Sequence, residues 1–268
     1  KGLPGRFRKG GAEDGQDYEE WRKRRLPGFS TLWKEKRTVF SSMPLVSIVI
    51  PLYCTPLPYL KELIDSVRKQ TYRNWQLCLA DGSPDEKIRE YLHRHYGREK
   101  RISYMKLKRN GGISANTNAA VSLARGEFLM LCDHDDTLEP DALFEIVKAL
   151  NENPRADVVY TDEDKVSMDG QHYFDPHFKP DFNLSRFGET NYICHIFAVR
   201  KTVAEKAGLF RPEFDGAQDY DFIFRCCEEA EEIVHIPKVL YHWRCHMEST
   251  AADPASKMYA YEAGKRAV

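Results

Sequence analysis

The sequence predicts an α/β fold with a mainly parallel central sheet flanked by helices. From Pro44 to about residue 160, β-branched or apolar runs alternate with segments whose apolar residues recur at helical spacing. This alternation is typical of parallel strands joined by helical crossovers. The 268 residues, of which 42% are hydrophobic and 30% charged, suffice for one large globular domain or two small ones. No apolar run approaches the ~20 residues that a membrane-spanning helix needs.

The predicted strands and helices follow one another regularly in the first half of the chain. The first strand lies in LVSIVIPLY, an apolar run typical of a strand buried on both faces. The next segment, PLPYLKELIDSVRKQTY, places Leu60, Leu63, Ile64 and Val67 on one face of a helix. The later elements are, in order, the strand WQLCLA, a helix with Ile88, Tyr91, Leu92 and His95 on one face, the strand RISYMKL, the helix SANTNAAVSLA, the strand EFLMLC, the helix PDALFEIVKAL and the strand DVVYTDED.

After about residue 160 the alternation becomes less regular. SMDGQHYFDPHFKPDFN indicates an aromatic loop with a hairpin turn at Asp169-Gly170. We then expect a strand near HIFAVR, a helix at KTVAEKA, a helix from Asp219, two short strands EIVHI and VLYHW, and a terminal helix. The main domain, residues 44–268, would therefore combine a nucleotide-binding half (44–160) with a smaller, mixed substrate-binding half (161–268).

Residues 1–43 form a basic arm or linker in this interpretation. The Gly- and charge-rich beginning predicts flexible chain, and DYEEWRKRRLPGF predicts a short basic helix that carries Tyr18 and Trp21. A solvated linker is favoured over contact with an anionic membrane surface. Because the chain begins with Lys1 rather than Met, we expect it to be one domain of a larger protein.

Charge and cysteine content restrict the class of protein. The net charge of -1 provides no general basic field, so nucleic acid is not an expected partner. The 7 cysteines show no C-x-x-C pair and are typical of reduced thiols in a cytosolic protein. With no signal peptide, we expect a cytoplasmic location, and the inner face of the membrane is the alternative.

Polar residues gather where three predicted strands end: Pro51 and Tyr53 after the first, Asp81 after the second, and residues 133–136 (DHDD) after a later one. In open α/β sheets, ligands bind beyond the carboxyl ends of the strands. Two acids two residues apart can converge on Mg²⁺ or Mn²⁺, which usually also binds substrate phosphates. In the alternative interpretation Asp136 caps the helix near Pro140, and the rest is solvated loop. Spacing alone does not decide between them.

The segment KRNGGISANTNAA contains a second candidate contact region. Its glycine pair, followed by a helix of small residues, would let backbone amides approach a bound group closely. The alternative is a plain helix start capped by Ser114. Asn110 and Asn118 in this segment are candidate side-chain contacts for the ligand.

The chain resembles the GT-A fold, family 2 glycosyltransferases, from about Val46 to about Ser249. The matching segments occur in family order: VSIVIPLY, LADGSPD, NGGISANTNAA, GEFLMLCDHDD, GAQDYDFIFR and LYHWRCHMEST. The chain is most similar to the bacterial branch that builds surface polysaccharides. The resemblance implies a Rossmann-like sheet and transfer of a sugar, with inversion, from a UDP- or dTDP-linked donor to a glycan or lipid-linked acceptor.

The same resemblance implies residue roles. Tyr53 and Asp81, with Pro51 beside them, match positions that hold the nucleotide base and ribose, and Asp81 would accept the imide hydrogen of the base. Asp133 and Asp135 match the D-x-D acids that hold Mn²⁺ or Mg²⁺ on the donor diphosphate. Asp219 matches the general base. The late basic motif against the diphosphate is matched by Arg244, His246 and Ser249.

Several alternatives to these assignments remain open. Asp219 could be a helix N-cap, and Asp221 and Arg225 could form a structural ion pair one helical turn apart. A nucleotidyltransferase would also bind a nucleotide and Mg²⁺, but the first strand is not followed by a Gly-rich phosphate loop. A glycosidase would use a carboxylate pair such as Asp133 and Asp219. A catalytically silent glycan-binding module is the non-enzymatic alternative.

Overall fold

The computed structural model describes the backbone of residues 12–245 and the side chains of residues 17–245. The strands are β1 (Val46–Leu52), β2 (Trp75–Asp81), β3 (Ile102–Lys106), β4 (Phe128–Leu131), β5 (Thr137–Leu138), β6 (Ala156–Val166), β7 (Tyr173–His177), β8 (Phe197–Arg200) and β9 (Glu232–Arg244). The helices are α1 (Ala12–Lys23), α2 (Phe29–Glu35), α3 (Leu57–Arg68), α4 (Lys87–Tyr96), α5 (Ile113–Ser122), α6 (Ala142–Glu152), α7 (Leu184–Glu189), α8 (Lys201–Lys206) and α9 (Gln218–Glu229).

The described strands form one sheet in the order β3-β2-β1-β4-β8-β6-β9-β5, and β7 pairs with β6 outside this path. The first four positions are parallel, as expected for strands joined by helical crossovers. In the second half, β8 runs antiparallel to both β4 and β6, whereas β9 runs parallel to β6. The predicted α/β class, with a parallel sheet and a smaller mixed region, is confirmed.

Apolar layers cover both faces of the sheet. On β1, Val46, Ile48 and Ile50 face one layer and Val49 faces the other, and all four are at most 1% exposed. A strand buried on both faces cannot alternate apolar and polar residues, which explains the continuous apolar run in the sequence. The helices that cover the sheet leave its polar strand ends at one edge.

The prediction of two short strands near the end of the chain is wrong. EIVHI and VLYHW belong to one strand, β9, which contains Pro237. Thr161 of β6 pairs with Ile236, but the next residue, Asp162, pairs with Val239. This register shift places Pro237, which has no N–H to donate, within a bulge of an otherwise continuous strand.

The predicted aromatic loop is more ordered than expected. Part of it forms β7, which makes a hairpin with β6. The hairpin turn at Asp169-Gly170 is confirmed: Gly170 has φ +73 and its N–H donates to the Ser167 carbonyl (2.8 Å). Helix α2 and the two-residue strand β5 were not predicted, and the predicted terminal helix lies outside the described residues.

The predicted short basic helix at the N-terminus forms as α1 and packs against β7. Tyr18 is 1% exposed and donates a hydrogen bond to Asp164 of β6 (2.7 Å). The Trp21 ring stacks on Tyr18 and meets the edge of Phe178. Among residues 12–245, no helix is long and apolar enough to cross a bilayer.

Candidate active site

Antiparallel pairing brings two residues that are distant in sequence to the end of β4. Leu131 of β4 pairs with Phe197 of β8, so Asp133 and His195, which extend these strands, face each other. The Nε2 atom of His195 lies 3.7 Å from Oδ2 of Asp133. With Asp136 they form a group in which one ligand-type atom of each residue lies within 4.8 Å of the others.

Tyr241 of β9 holds this group together. Its hydroxyl donates to the Asp136 carboxylate and accepts from the Asp133 N–H (3.1 Å), and its ring stacks on His195 at 4.7 Å between centroids. Asp136 is fully buried and also accepts from the backbone N–H of Arg244 (2.7 Å). Burial, together with the negative charges of Asp135 and Asp133, raises the pKa of Asp136 well above its usual range.

The alternative role of Asp136 as a helix cap is wrong. Helix α6 begins at Ala142, and Asp141 occupies its N-cap position. The carboxylate of Asp136 is instead bonded to strand β9. The sequence near Asp136 resembles the start of a helix, but the contacts of its carboxylate are with β9, more than 100 residues away in the sequence. Local sequence patterns do not reveal such a contact.

Glu163 and Lys179 hold the backbone around His195. The His195 N–H donates to the Glu163 carboxylate (3.0 Å), and the buried Lys179 ammonium donates to the carbonyls of His195 and Ile193. Burial alone opposes a positive charge on the His195 ring, but Cys194, Asp133 and Glu163 raise its pKa well above the usual value. A cationic imidazole therefore faces the carboxylate of Asp133.

Asp219 is the second residue of α9 and carries a perturbed carboxyl group. Burial, and then the charge of Asp133, raise the pKa of Asp219 to about 6, although His195 and Gln218 act in the opposite direction. The Gln218 amide donates to the Asp219 carboxylate (3.1 Å). Because Asp133 and His195 both influence this carboxyl, Asp219 belongs to the same electrostatic site.

The alternative structural roles near Asp219 have different outcomes. Ala217, and not Asp219, occupies the N-cap position of α9. Asp221 is fully buried and forms ion pairs with Arg225, one turn along the helix, and with Arg211. The predicted structural pairing of Asp221 and Arg225 is therefore confirmed, and Asp219 is left outside it.

Asp135 and Arg244 lie at the edge of this group. The Asp135 carboxylate is 3.8 Å from Nδ1 of His134 and does not belong to the group of Asp133, Asp136 and His195. Arg244 is 1% exposed, and its guanidinium bonds the carbonyls of Asp135 and Met168 and pairs with Glu62. Through these contacts Arg244 fixes the position of residues 133–136, here called the aspartate loop.

The predicted base-binding residues lie at the ends of β1 and β2. Asp81 is fully buried and accepts hydrogen bonds from Tyr104 (2.8 Å), Lys106 (3.1 Å) and the Ser83 N–H (2.8 Å). Pro51 pairs with the neighbouring strand beside it. Tyr53 is 50% exposed at the same edge, so its ring is accessible to a ligand.

Asn110 and Asn118 have different environments. The side chain of Asn110 accepts hydrogen bonds from the Gly112 N–H (3.1 Å) and from the Asn116 amide (2.9 Å). Asn110 and Asn116 also lie against Gly82, where an added Cβ would come 2.8 Å from the Asn116 amide nitrogen. Asn110 therefore borders the Asp81 loop. The Asn118 amide bonds both the N–H and the carbonyl of Phe210, which packs α5 onto the loop before α9.

Asp215, which the sequence did not single out, lies at the N-terminus of α5. Its carboxylate accepts from the Ser114 N–H (3.2 Å), and an added Cβ on Gly112 (φ +90) would come 2.5 Å from it. Gly112 occupies the N-cap position of α5, and the Ser114 hydroxyl donates to the Arg211 carbonyl, so the alternative in which Ser114 caps the helix is wrong. The Ser114 amide at the start of α5 is therefore buried and already bonded to Asp215.

Sequence reasoning missed His195, Tyr241 and the site role of Asp136. His195 immediately precedes the predicted strand HIFAVR, but nothing in the sequence indicated that this strand would lie antiparallel beside β4. His246 and Ser249, the remaining predicted contacts, lie outside the described residues.

A parallel first half of the sheet with clustered acids at its strand ends, continued by a mixed second half, is the architecture of a GT-A glycosyltransferase domain. Residues 47–208 match the sequence model described as Glycosyl transferase family 2. The chain therefore belongs to glycosyltransferase family 2, a family of transferases. The matched residues include the aspartate loop and His195 and end before Asp219.

Relatives support this assignment. The chain is 42% identical to the uncharacterized protein y4gI of Sinorhizobium fredii, over 84% of this chain and 25% of that protein. It is 33% identical to the O-antigen biosynthesis protein RfbC of Myxococcus xanthus, over 94% of this chain and 20% of that protein. The chain thus spans a quarter or less of the length of these relatives.

Two solved structures share the fold. The structure of S. aureus TarS 1-349 in complex with UDP-GlcNAc has a TM-score of 0.65 and 22% identity, over 81% of this chain and 64% of that chain. The mannosyltransferase PcManGT of Pyrobaculum calidifontis, in complex with GDP-Man and Mn²⁺, has a TM-score of 0.56 and 18% identity, over 79% and 62%.

Proposed function

We propose that this domain transfers a sugar from a nucleoside diphosphate sugar to a hydroxyl group of a glycan or lipid-linked acceptor, with inversion at the anomeric carbon. The observation that carries the proposal is the convergence of Asp133, Asp136, His195 and Asp219 at the end of β4. Family membership supports the reaction class, and the geometry suggests which residue would take each role.

UDP or dTDP is the proposed donor nucleotide, because the TarS structure is a complex with UDP-GlcNAc. Tyr53 offers an accessible aromatic ring to the base. Asp81 already accepts three hydrogen bonds, but a carboxylate has about four lone-pair sites. One site therefore remains for the imide hydrogen of uracil or thymine.

A divalent cation, Mn²⁺ or Mg²⁺, is the proposed cofactor, consistent with the Mn²⁺ in the PcManGT complex. Asp133 and Asp136 would supply the oxygen ligands that these ions prefer, and His195 would supply its imidazole once the cation displaces the ring proton. Asp135, the second acid of the D-x-D motif, remains a predicted ligand. The bound cation would offset negative charge that develops on the departing diphosphate.

Asp219 is the proposed general base. With a pKa of about 6, its carboxyl is largely ionised at neutral pH and can accept the proton of the acceptor hydroxyl. The hydroxyl oxygen would form the new bond to the anomeric carbon as the bond to the diphosphate breaks on the opposite face. The proton ends on Asp219, and the negative charge ends on the nucleotide.

Bacterial polysaccharide synthesis is the proposed pathway, because RfbC is described as an O-antigen biosynthesis protein. A lipid-linked acceptor would require access to the membrane surface. Phe29 is 84% and Trp33 48% exposed, and Arg37 lies 3.5 Å over the Trp33 ring. This apolar and basic surface suits peripheral contact with the cytoplasmic face of a membrane.

Calorimetric titration with UDP, dTDP and GDP, each with and without Mn²⁺, tests the proposal. We expect one uridine or thymidine diphosphate to bind in a Mn²⁺-dependent manner, with affinity reduced on the order of 10-fold or more in Asp133→Asn. Asp135→Asn tests the other D-x-D acid, and Asp85→Asn is a matched control on the neighbouring exposed loop. If none of the nucleotides binds with Mn²⁺, the catalytically silent glycan-binding module becomes the better interpretation.

A further inference from the structure

A second group of buried acids shares no residue with the candidate active site. Glu35 ends α2, Asp141 precedes α6, and Glu145 lies one turn into α6. They are 7%, 5% and 8% exposed, and one carboxylate oxygen of each lies within 4.8 Å of the others. Three acids this close repel one another unless a proton or a cation offsets their charge.

One carboxylate oxygen of this region lacks a hydrogen-bond partner. Oδ1 of Asp141 is shielded from solvent, and no other described residue donates a hydrogen bond to it. Thr71, which is 2% exposed, lies beside the group: its hydroxyl interacts with the Glu35 carboxylate, and its N–H bonds the carbonyl of Pro140, next to Asp141. Buried polar atoms nearly always have a partner, so the Asp141 oxygen indicates a missing ligand.

The local ion pairs do not neutralise the group. Lys238 lies 2.8 Å and Lys148 3.8 Å from the carboxylate oxygens of Glu145. Neither Glu35 nor Asp141 forms an ion pair with any residue in the described part of the chain.

We propose that Glu35, Asp141 and Glu145 bind a hard divalent cation of the Ca²⁺ type, with the Thr71 hydroxyl as a further oxygen ligand. Ca²⁺ binds oxygen at about 2.3–2.6 Å, so two ligands on opposite sides of the ion lie at most about 5 Å apart. The three carboxylate oxygens all lie within 4.8 Å of one another, which is inside this limit. An all-oxygen set excludes a preference for softer ions such as Zn²⁺.

A cavity borders one side of this group. The cavity has a volume of about 520 Å³ and lies between α1 and the bulge of β9. Asp141 and Lys238 both belong to its lining, together with Trp21 and Phe178. The cavity gives the cation an entry path and room for the water ligands that Ca²⁺ needs to complete six to eight oxygens.

The proposed ion would have a structural role. It would join α2 of the N-terminal segment to α6, and through Thr71 to the turn between α3 and β2. Lys238 would compete with the cation for Glu145, because its ammonium forms an ion pair with that carboxylate. Its removal should therefore favour cation binding.

Calorimetric titration and thermal unfolding with Ca²⁺ test this site. We expect one Ca²⁺ to bind and raise Tm, with affinity reduced on the order of 10-fold or more in the nearly isosteric variants Glu35→Gln and Asp141→Asn. Glu152→Gln, an exposed acid at the other end of α6, should bind as the wild type does. Asp133→Asn should also retain this Ca²⁺, because it alters only the candidate active site.

Lys238→Met keeps the test decisive if the acid variants fail to fold. Loss of the competing ammonium should tighten Ca²⁺ binding several-fold relative to the wild type. The proposal is overturned if neither the wild type nor Lys238→Met binds Ca²⁺. It is equally overturned if Asp133→Asn abolishes the Ca²⁺ binding that Glu35→Gln retains, since the ion would then occupy the candidate active site.

Discussion

At the scale of single residues, Tyr241 explains how four consecutive charged or polar residues can follow a buried strand. Its hydroxyl bonds Asp136 and the Asp133 N–H, and its ring supports His195. These bonds fix the Asp136 carboxylate against β9, while Asp133 faces His195. Tyr241 acts through these neighbours, so its role is to position them.

Tyr241→Phe should preserve the stacked ring and remove only the hydroxyl. Because a buried carboxylate then loses a donor, we expect a loss of about 1–3 kcal/mol in the free energy of unfolding. If the hydroxyl positions the metal-binding loop, the Kd for Mn²⁺ should rise as well, which denaturant unfolding and metal titration measure separately. If the Kd for Mn²⁺ is unchanged, the Tyr241 hydroxyl stabilises the fold but does not position the metal-binding loop.

Asp219→Asn should remove the proposed base and leave the shape of the site intact. We expect kcat to fall on the order of 10²–10⁴-fold, the usual contribution of general acid–base catalysis, with donor binding unchanged. In the wild type, activity should decline as the pH falls through about 6, because the base becomes protonated. Steady-state kinetics across pH 5–8 would contradict the assignment if the variant retained both the rate and the acid limb.

At the scale of elements, α1 is joined to the sheet by a charged cluster inside the protein. Arg22 pairs with Glu139 and with Asp164, and its guanidinium lies 3.6 Å over the Tyr173 ring. Tyr18 bonds the same Asp164. Basic composition suggested a solvated surface, but the aromatic side chains of this helix allow it to pack and bury its arginine.

Tyr18→Phe tests how far the hydrogen bond to Asp164 secures α1. Removal of the hydroxyl leaves a buried carboxylate with one donor fewer, so we expect a loss of about 1–3 kcal/mol in stability. Limited proteolysis should show faster cleavage near residues 24–28, beyond the helix. Tyr53→Phe, at a 50% exposed position, is the matched control and should change neither measurement.

At the scale of the whole molecule, the second half of the sheet and the N-terminal helix α1 meet around buried charges that depend on pH. His242 of β9 faces Asp164 of β6 (2.5 Å) and Glu139 before α6 (3.1 Å), with Arg22 of α1 and Tyr173 of β7 also in contact. Burial alone would lower the pKa of His242, but Asp164 and Glu139 raise it to about 9. The charge on His242 therefore affects the contacts that join α1, β6, β7 and β9.

This linkage predicts lower stability in alkaline solution. The folded-state pKa of His242 is above the unfolded value of about 6.5, so its contribution is complete below about pH 6.5 and is lost as the pH rises through about 9. The difference corresponds to on the order of 3 kcal/mol. Denaturant unfolding at pH 6, 8 and 9.5 should show this decline in the wild type, and His242→Gln should flatten it. A parallel decline in the variant would assign the effect to other groups.

The parallel half of the fold was predictable because its signals are local. Short apolar runs mark strands such as β1, β2 and β4, and the 3.6-residue period and turn residues mark the helices between them, without reference to the rest of the chain. The second half was less predictable because its strands take their register from distant partners. Pro237 interrupts the pattern of β9, yet pairing with β6 on both sides keeps the strand continuous.

The sequence by itself determined the fold class, the family resemblance, and the positions of Asp81, Asp133 and Asp219 at the ends of strands and at a helix start. Only the tertiary structure decided that His195 faces Asp133, that Tyr241 binds Asp136, and that Asp215 covers the start of α5. The reason is physical: strand propensity and helix periodicity depend on neighbouring residues, whereas these contacts join residues 62 to 105 positions apart. Their geometry is set by sheet register and by packing, which local sequence does not encode.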